Sequence, residues 1–417
     1  MPPRTCRRSK NRISGHWHSS TSPLLTSTSN RVLYVVSLNH ATNDGSVYLL
    51  SSLFPIVLAL FNISVFQVGI IVALGYLVNI LFQPVVGHYS EGRDPGRLLA
   101  IGIAIITVSV VSFVFATGFL SLLTSVIFLR LGSSFFHPVG ISTISKSYGG
   151  PRLQKSMGFQ SAFGNVGVLL VFLISASLYL EVGWRATFVV FAVWTLADVI
   201  LTLTLLRGRH SAASDDPQTP SSSKPQTKRT IPVFFVLAAF ISGGSYAVIL
   251  NFANIFLGTR AHLDVSQANL IVSAFIAFAS LGAIATGGWT RFVPTNVLLA
   301  ISYIVASGSI AAFTLLSGNA ILATITLLAT GFSISATYPL TYTELSRYLG
   351  SIGQQSGRSF GVLSSGQTIG ASILGLASGY VSQFLSLEVS FGSVAILALI
   401  GSVSAVFWIK NMNRRAY

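Results

Sequence analysis

The chain alternates between long apolar stretches and short polar connections, and this pattern predicts its fold. A helix needs roughly 20 residues to cross the ~30 Å hydrocarbon core of a bilayer. Twelve stretches reach this length, and we predict that they are membrane spans: 31–61, 65–89, 97–118, 120–145, 156–181, 185–206, 231–258, 265–290, 295–316, 319–343, 357–384 and 389–410. The pattern therefore predicts an all-α membrane protein with twelve transmembrane helices.

One long interior connection divides the spans into two sets of six. Residues 207–230 are rich in Pro, Ser, Thr and charge, which is typical of a flexible linker. The predicted organisation is a disordered basic tail over 1–30, a six-helix bundle over 31–206, the cytoplasmic linker over 207–230, a second bundle over 231–410 and a cytoplasmic tail over 411–417.

The two halves repeat short sequences in the same order. ISVFQ at 63–67 is followed about 200 residues later by LDVSQ at 263–267, and KSMG at 155–158 by RSFG at 358–361. Several matches in a fixed order indicate duplication. Six spans repeated in one orientation predict two pseudo-symmetric bundles with a cavity between them.

Composition excludes a soluble protein. Hydrophobic residues make up 52% of the chain and charged residues only 8%, against roughly 25% charged residues in soluble proteins. Of the 25 Lys and Arg residues, 22 fall on the side of the termini, Arg185 and Arg260 fall on the other, and Arg130 lies inside a span. Positive residues mark the cytoplasmic side, so we predict that both termini are cytoplasmic. The basic residues lie between apolar stretches and are not gathered on a folded surface, so we predict that no nucleic acid is bound.

The connection between the second and third spans carries a family motif. It reads GHYSEGRDPGR over 87–97 and resembles the signature loop of the major facilitator superfamily. The resemblance covers 31–410 and includes GWR at 183–185. Glu91 stands where the family usually has Asp, and Pro95 lies in a slightly longer loop. By this resemblance, we interpret four residues as a gating loop, with simple surface charge as the alternative: Gly87, Glu91, Arg93 and Arg97.

Two further motifs resemble the fosmidomycin-resistance branch of that superfamily. They are HATNDG at 40–45, with Pro55 in the same span, and GSSFFHP at 132–138. The resemblance implies secondary transport by alternating access, with export of a drug or metabolite driven by protons. The branch name does not establish the substrate.

The first predicted span carries a polar stripe. The residues of this stripe follow one another at helical spacing and therefore share one face: His40, Asp44, Tyr48, Ser51 and Pro55. Polar groups are costly against lipid, so this face is predicted to line the cavity. We interpret Asp44 as the proton-carrying carboxylate and His40 as the group that shares its proton. The alternative is a hydrogen-bonded cluster that only positions the span.

Two basic side chains in the fourth span are also candidates. Arg130 could anchor an anionic substrate or pair with Asp44, and the alternative is a structural ion pair. His137 could bind substrate or relay protons, and the alternative is a packed histidine beside a hinge at Pro138. Pro339 stands at the equivalent place in the tenth span and predicts a shared hinge.

Other polar residues complete the predicted site. We interpret five of them as residues that contact the substrate, and the alternative is that they only pack helices together. They are Asn43, Tyr48, Asn165, Asn251 and Tyr338. Asp198 in the sixth span is predicted to form a structural pair.

These features predict a secondary active transporter in the cell membrane rather than an enzyme. The chain has no phosphate-binding loop for ATP, and its single Cys6 cannot build a disulfide or a zinc cluster. We expect no cofactor and no metal, a small-molecule substrate, protons and the bilayer as partners, and a monomer. The leading prediction is proton-coupled export of a small drug-like or anionic metabolite. The alternatives are a nutrient symporter or uniporter, or a membrane receptor that does not translocate.

Overall fold

The computed structural model describes residues 23–206, 231–352 and 357–415, in which every regular element is an α-helix. The predicted linker 207–230 and most of the predicted N-terminal tail lie outside the described residues. The helices are α1 (Pro23–Ser52), α2 (Phe54–Leu60), α3 (Val65–Tyr89), α4 (Pro95–Val114), α5 (Phe119–Ser133), α6 (Phe136–Ser147), α7 (Gly150–Leu206), α8 (Val233–Arg260), α9 (Val265–Trp289), α10 (Thr295–Leu316), α11 (Ala320–Ser351), α12 (Gly357–Phe384) and α13 (Leu387–Arg415).

These helices make twelve crossings over the described residues. Ten segments are long and apolar enough to cross a membrane, and the bent pair α1–α2 raises the number to eleven. One of the ten, Lys155–Leu206, has 52 residues, but Gly183 inside it has φ 76° and ψ 177°. A positive φ favours glycine, and the chain turns back here. The two halves of α7 are therefore separate crossings, which brings the total to twelve and confirms the predicted fold class.

The first crossing is broken by a proline. The span predicted as one helix over 31–61 consists of α1 and α2, which meet at a 46° bend. Pro55 follows the break at Leu53 and has no backbone N–H to continue the hydrogen bonds of α1. α1 also begins at Pro23 rather than near residue 31, because the helix continues into Ser and Thr residues that an apolar pattern does not mark.

The fourth span is interrupted near its proline, whereas the tenth span is continuous around its own. α5 ends at Ser133 and α6 begins at Phe136, two residues before Pro138. Because Pro138 has no N–H, it cannot bond to the carbonyl of Ser134 in the preceding turn. Pro339, in contrast, lies inside the uninterrupted helix α11. The tenth span therefore does not share the break, and a shared hinge stays a prediction.

One repeated sequence motif is a pair of helix caps. Ser64 and Gln67 form a capping box at the start of α3, and Asp264 and Gln267 form the same box at the start of α9. In each box the side chain of the Ser or Asp accepts a hydrogen bond from the backbone N–H of the Gln, and the Gln side chain accepts one from the backbone N–H of the Ser or Asp. The ISVFQ and LDVSQ motifs thus begin equivalent helices in the two halves.

The halves are packed closely at the side of the molecule opposite the start of α1, which we call the far side. A Cβ atom on Gly69 of α3 would lie 2.8 Å from the Cα of Gly379 in α12, so only glycine permits this approach. The ring of Phe66 packs edge-on against that of Tyr380 beside it, with ring centroids 5.8 Å apart. Small residues of this kind allow close packing of helices in membranes.

Candidate functional site

A cavity of about 380 Å³ lies between the two halves. This volume falls within the roughly 300–1,000 Å³ of small-molecule sites. The cavity is lined by residues of both halves: His40, Asp44, Tyr48, Tyr76, His137, Ser161, Asn165, Ser242, Gly243, Tyr246, Ala279, Ala283, Ile334, Ser335, Tyr338, Gln367, Thr368 and Ala371. The His40, Asp44 and Tyr48 part of the predicted stripe therefore faces a cavity, whereas Ser51 and Pro55 do not line it.

His40 and Asp44 form an ion pair at the cavity wall. The Nε2 atom of His40 lies 3.2 Å from Oδ2 of Asp44, and the two side chains are 8% and 26% exposed. Asp44 also accepts a hydrogen bond of 2.8 Å from the Nδ2 of Asn43. Asp44 is thus the more accessible member of the pair, and Asn43 holds its other oxygen in place.

The hydrogen bonds of His40 determine where its protons can lie. Its Nδ1 is 2.8 Å from the carbonyl oxygen of Gln160, and because a carbonyl only accepts, Nδ1 must carry a proton. The contact between Nε2 and Asp44 then requires one further proton, on the imidazole or on the carboxyl group. The pair therefore shares one proton next to the cavity.

A glycine lets α7 approach this pair. A Cβ atom on Gly164 would lie 2.7 Å from Nε2 of His40 and 2.9 Å from Oδ2 of Asp44. Three residues later, a Cβ atom on Gly167 would overlap the carbonyl oxygen of Ala41. The first half of α7 thus packs directly on α1 and covers the pair, because both positions lack a side chain.

His137 lies next to the pair without a hydrogen bond to it in the described structure. Its ring packs edge-on against that of His40 at a centroid distance of 5.5 Å, while Phe136 stacks on His40 at 4.4 Å. Imidazole and carboxylate are also transition-metal donors, and the ligand atoms of His40, Asp44 and His137 lie within 4.8 Å of one another. The His40–Asp44 contact needs no ion, and the absence of a metal stays a prediction.

Arg130 is buried behind the cavity wall. It is 5% exposed, and its guanidinium carbon lies 4.2 Å from the ring centroid of Tyr76. The hydroxyl of Tyr76 lies 2.8 Å from that of Tyr48, and both tyrosines line the cavity. Asp44 forms its described ion pair with His40 and not with Arg130, although that pairing is one of those predicted. Arg130 instead contacts the aromatic ring of Tyr76.

The remaining predicted contact residues fall into two groups. Asn165 and Tyr338 line the cavity, whereas Asn43 is buried behind Asp44. Asn251 accepts a 2.7 Å hydrogen bond from the hydroxyl of Ser51 in the other half. It therefore belongs to a contact between the halves and does not line the cavity.

The predicted gating loop is ordered by an acid that sequence reasoning does not select. Asp94 accepts a 2.9 Å hydrogen bond from the N–H of Gly96 at the start of α4, and it lies 3.6 Å from Nε of Arg97. Arg93 donates to the carbonyl of Tyr89. Glu91 is exposed and Gly87 is partly buried. A Cβ atom on Gly87 would lie 3.6 Å from the Cβ of Pro138.

Sequence reasoning misses several residues of the cavity. Tyr76, Ser242 and Gln367 line it, yet none of them belongs to a charged motif or to a polar stripe such as that of the first span. The contribution of Gln160 to His40 comes from its backbone carbonyl, which no side-chain pattern can indicate.

Comparison with known proteins assigns the class. The family model described as Major Facilitator Superfamily matches residues 36–357, and the chain belongs to this superfamily of membrane transporters. It is similar to the uncharacterized MFS-type transporter YfnC of Bacillus subtilis (strain 168), with 26% identity over 82% of this chain and 85% of the relative. It is also similar to the fosmidomycin resistance protein of Escherichia coli (strain K12), with 25% identity over 90% of this chain and 92% of the relative.

Solved structures agree on the fold. A bacterial homolog of the human lysosomal transporter Spinster, in an inward-facing and occupied conformation, matches with a TM-score of 0.72. The match covers 91% of this chain and 96% of that one at 16% identity. The protein is thus a multi-pass membrane transporter and not an enzyme, as the sequence predicts.

Proposed function

We propose that this protein exports a small molecule in exchange for protons, with both termini in the cytoplasm. The observation that carries the proposal is the His40–Asp44 contact at the wall of the cavity between the halves, whose geometry requires one shared proton. Ionisable groups inside a membrane are costly and usually functional. An exchangeable proton at the solute site is what coupling requires.

The cavity chemistry supports a small polar or amphiphilic solute. Tyr48, Tyr76, Tyr246 and Tyr338 present rings together with hydroxyl groups, and such side chains bind molecules that have both an apolar body and polar groups. The positive charge of Arg130 lies directly behind Tyr76 and favours a solute that carries negative charge. The name of the Escherichia coli relative makes fosmidomycin a first compound to test.

The described conformation fits the inward-facing state of such a cycle. Ser51 and Asn251 join the halves on the far side, and Gly69 and Gly379 pack there. With the termini in the cytoplasm, as the distribution of basic residues favours, the far side is external. The cavity is then closed to the outside, and export requires a second state in which these contacts open.

Reconstitution into liposomes tests the proposal. With the termini facing outward, the wild type should accumulate labelled solute when the lumen is acidic. Asp44→Asn should abolish this accumulation while solute binding remains measurable, because the amide cannot release a proton. Glu388→Gln, which removes an acid paired with Arg260 and outside the cavity lining, is the matched control.

Each alternative gives a different result. A nutrient symporter accumulates solute only with the opposite gradient, a uniporter equilibrates it with either gradient, and a receptor binds it without transport. Gradient-driven accumulation by Asp44→Asn at the wild-type rate would contradict the coupling role of this residue.

A further inference from the structure

A second buried acid lies outside the cavity and has no part in the mechanism above. Asp198 in the second half of α7 is 3% exposed, and it does not line the cavity. It is the only charged residue of the stretch 186–206. An acid in this position needs either a cation or a proton to offset the cost of burial.

The partner of Asp198 is an amide on α1. The Nδ2 of Asn39 donates hydrogen bonds of 2.8 Å to Oδ1 of Asp198 and of 2.8 Å to the hydroxyl of Thr202. Asn39 is 0% exposed and precedes His40, so that α1 presents one polar group to the cavity and the other to the second half of α7. The Asn39 amide thus fastens these two helices together.

Two buried oxygen atoms of this pair lack hydrogen-bond partners. They are Oδ2 of Asp198 and Oδ1 of Asn39. An ionised carboxylate and an amide oxygen both only accept, so neither can satisfy the other. A proton on the carboxyl group turns one of its oxygens into a donor. An acid and an amide can then exchange two hydrogen bonds, one in each direction.

The other groups that face Asp198 are neutral. The hydroxyls of Thr42 and Thr202 face the carboxyl, and the indole of Trp194 donates to Thr42 at 3.1 Å. None of these side chains carries a positive charge that could pair with a carboxylate.

The helices packed around Asp198 place no cation beside it either, because Arg31 of α1 and Arg185 of α7 are exposed, eight residues before Asn39 and thirteen before Asp198. On α1, His40 is paired with Asp44. α4 packs along the second half of α7, and its only charged residue is Arg97, which pairs with Asp94 in the first turn. The facing stretch 156–178 of α7 contains no titratable residue. An ionised Asp198 would therefore be a buried charge that has hydrogen bonds but no counter-ion, which is costly.

We propose that Asp198 is a second proton-binding site, at which a neutral carboxylic acid is held by Asn39 between α1 and the second half of α7. This proton lies outside the cavity and is independent of the role proposed for Asp44. Because Asn39 and His40 are neighbours on α1, a displacement of α1 would disturb both sites together.

Infrared spectroscopy of the full-length protein in lipid vesicles near neutral pH tests this proposal. The C=O stretch of a protonated acid is separate from the bands of a carboxylate, and the chain has only ten Asp and Glu residues. Asp198→Asn should remove one protonated-acid band. Asn39→Ala should keep that band but shift it, because the acid loses its hydrogen-bond partner.

Two controls separate this proposal from the coupling mechanism. Glu388→Gln removes an acid that is paired with Arg260 at 3.1 Å, so it should lose carboxylate absorbance only. Asp44→Asn should leave the Asp198 band in place whatever it does to transport. Loss of carboxylate absorbance in Asp198→Asn would overturn the proposal, as would an unshifted band in Asn39→Ala. If Asp198→Asn fails to fold, the comparison of wild type with Asn39→Ala decides.

Discussion

The Nδ2 of Asn254 in the C-terminal half donates a 2.9 Å hydrogen bond to the backbone carbonyl of Ser51 in the N-terminal half. This carbonyl is available because Pro55, four residues later, has no N–H to bond it. The carbonyl of Ser52 is released as well, since the N–H of Ile56 bonds to Leu53, and it accepts at 2.8 Å from Asn269. The proline that breaks the first crossing thus creates the acceptors that join the halves.

Asn254→Leu should weaken this far-side contact and favour opening of the far side. Leaving a buried carbonyl without its donor costs about 1–3 kcal/mol, which corresponds to a shift in the conformational equilibrium of about 5- to 150-fold. Pulsed electron paramagnetic resonance between spin labels at Thr117 and Gly318, in a Cys6→Ser background, should show a larger population of long distances.

Asn296→Leu is the matched control. The side chain of Asn296 accepts a hydrogen bond from the N–H of Val297 in its own helix, and it lies at the start of α10, at the opposite end of that helix from the far side. This variant should keep the wild-type distance distribution. An unchanged distribution in Asn254→Leu would show that the hydrogen bond does not hold the far side closed.

Much of the architecture follows from the sequence because it depends on local patterns. The apolar stretches predict the crossings, and helical spacing places His40, Asp44 and Tyr48 on one face, as they are in the cavity. The break at Pro55 does not follow from the same pattern. Its residue type indicates a bend, but a continuous apolar stretch conceals where the helix ends.

The contacts that give each polar residue its role could not be predicted from local patterns. Asn39 and Asp198 are 159 residues apart in the chain, and Asn251 meets Ser51 at a separation of 200. The sequence alone predicts an anion beside Arg130, yet this residue lies on the ring of Tyr76. Such partners depend on how helices from distant parts of the sequence pack together.

Gly164→Ala should disrupt coupled transport without weakening the helix. The added methyl group would overlap the His40–Asp44 contact, at 2.7 Å from Nε2 of His40, and must push the two side chains apart. Alanine is a better helix former than glycine by about 1 kcal/mol, so the thermal midpoint should not fall through helix propensity. We expect at least a tenfold loss of gradient-driven transport in liposomes.

The same helix provides the control for this substitution. A methyl group on Gly158 would have no neighbouring atom within 4 Å, so Gly158→Ala should retain wild-type transport and show equal or higher stability. Equal transport rates in the two variants would mean that the close approach of α7 to the pair is not needed for coupling.

Arg130→Met should reduce the affinity for anionic solutes more than for neutral ones. The substitution keeps a long apolar side chain beside Tyr76 but removes the positive charge. At an effective dielectric constant of about 20, a unit charge roughly 8–15 Å from a solute contributes on the order of 1–2 kcal/mol, or about five- to thirtyfold in Kd. Binding of fosmidomycin and of labelled anionic and neutral solutes to the purified protein measures this. Equal losses for all solutes would assign Arg130 a purely structural role.

Pro138→Ala should slow transport while leaving solute binding nearly unchanged. The alanine N–H can bond to the carbonyl of Ser134 and join α5 and α6 into one straighter helix, which removes the break beside His137. Pro339→Ala is the matched control, because α11 is already continuous around Pro339. We expect turnover in liposomes to fall several-fold in Pro138→Ala and to stay near the wild-type value in Pro339→Ala, with similar Kd values in both. A fall of equal size in the two variants would contradict a specific role for the α5–α6 break, since only one of the two prolines interrupts its helix.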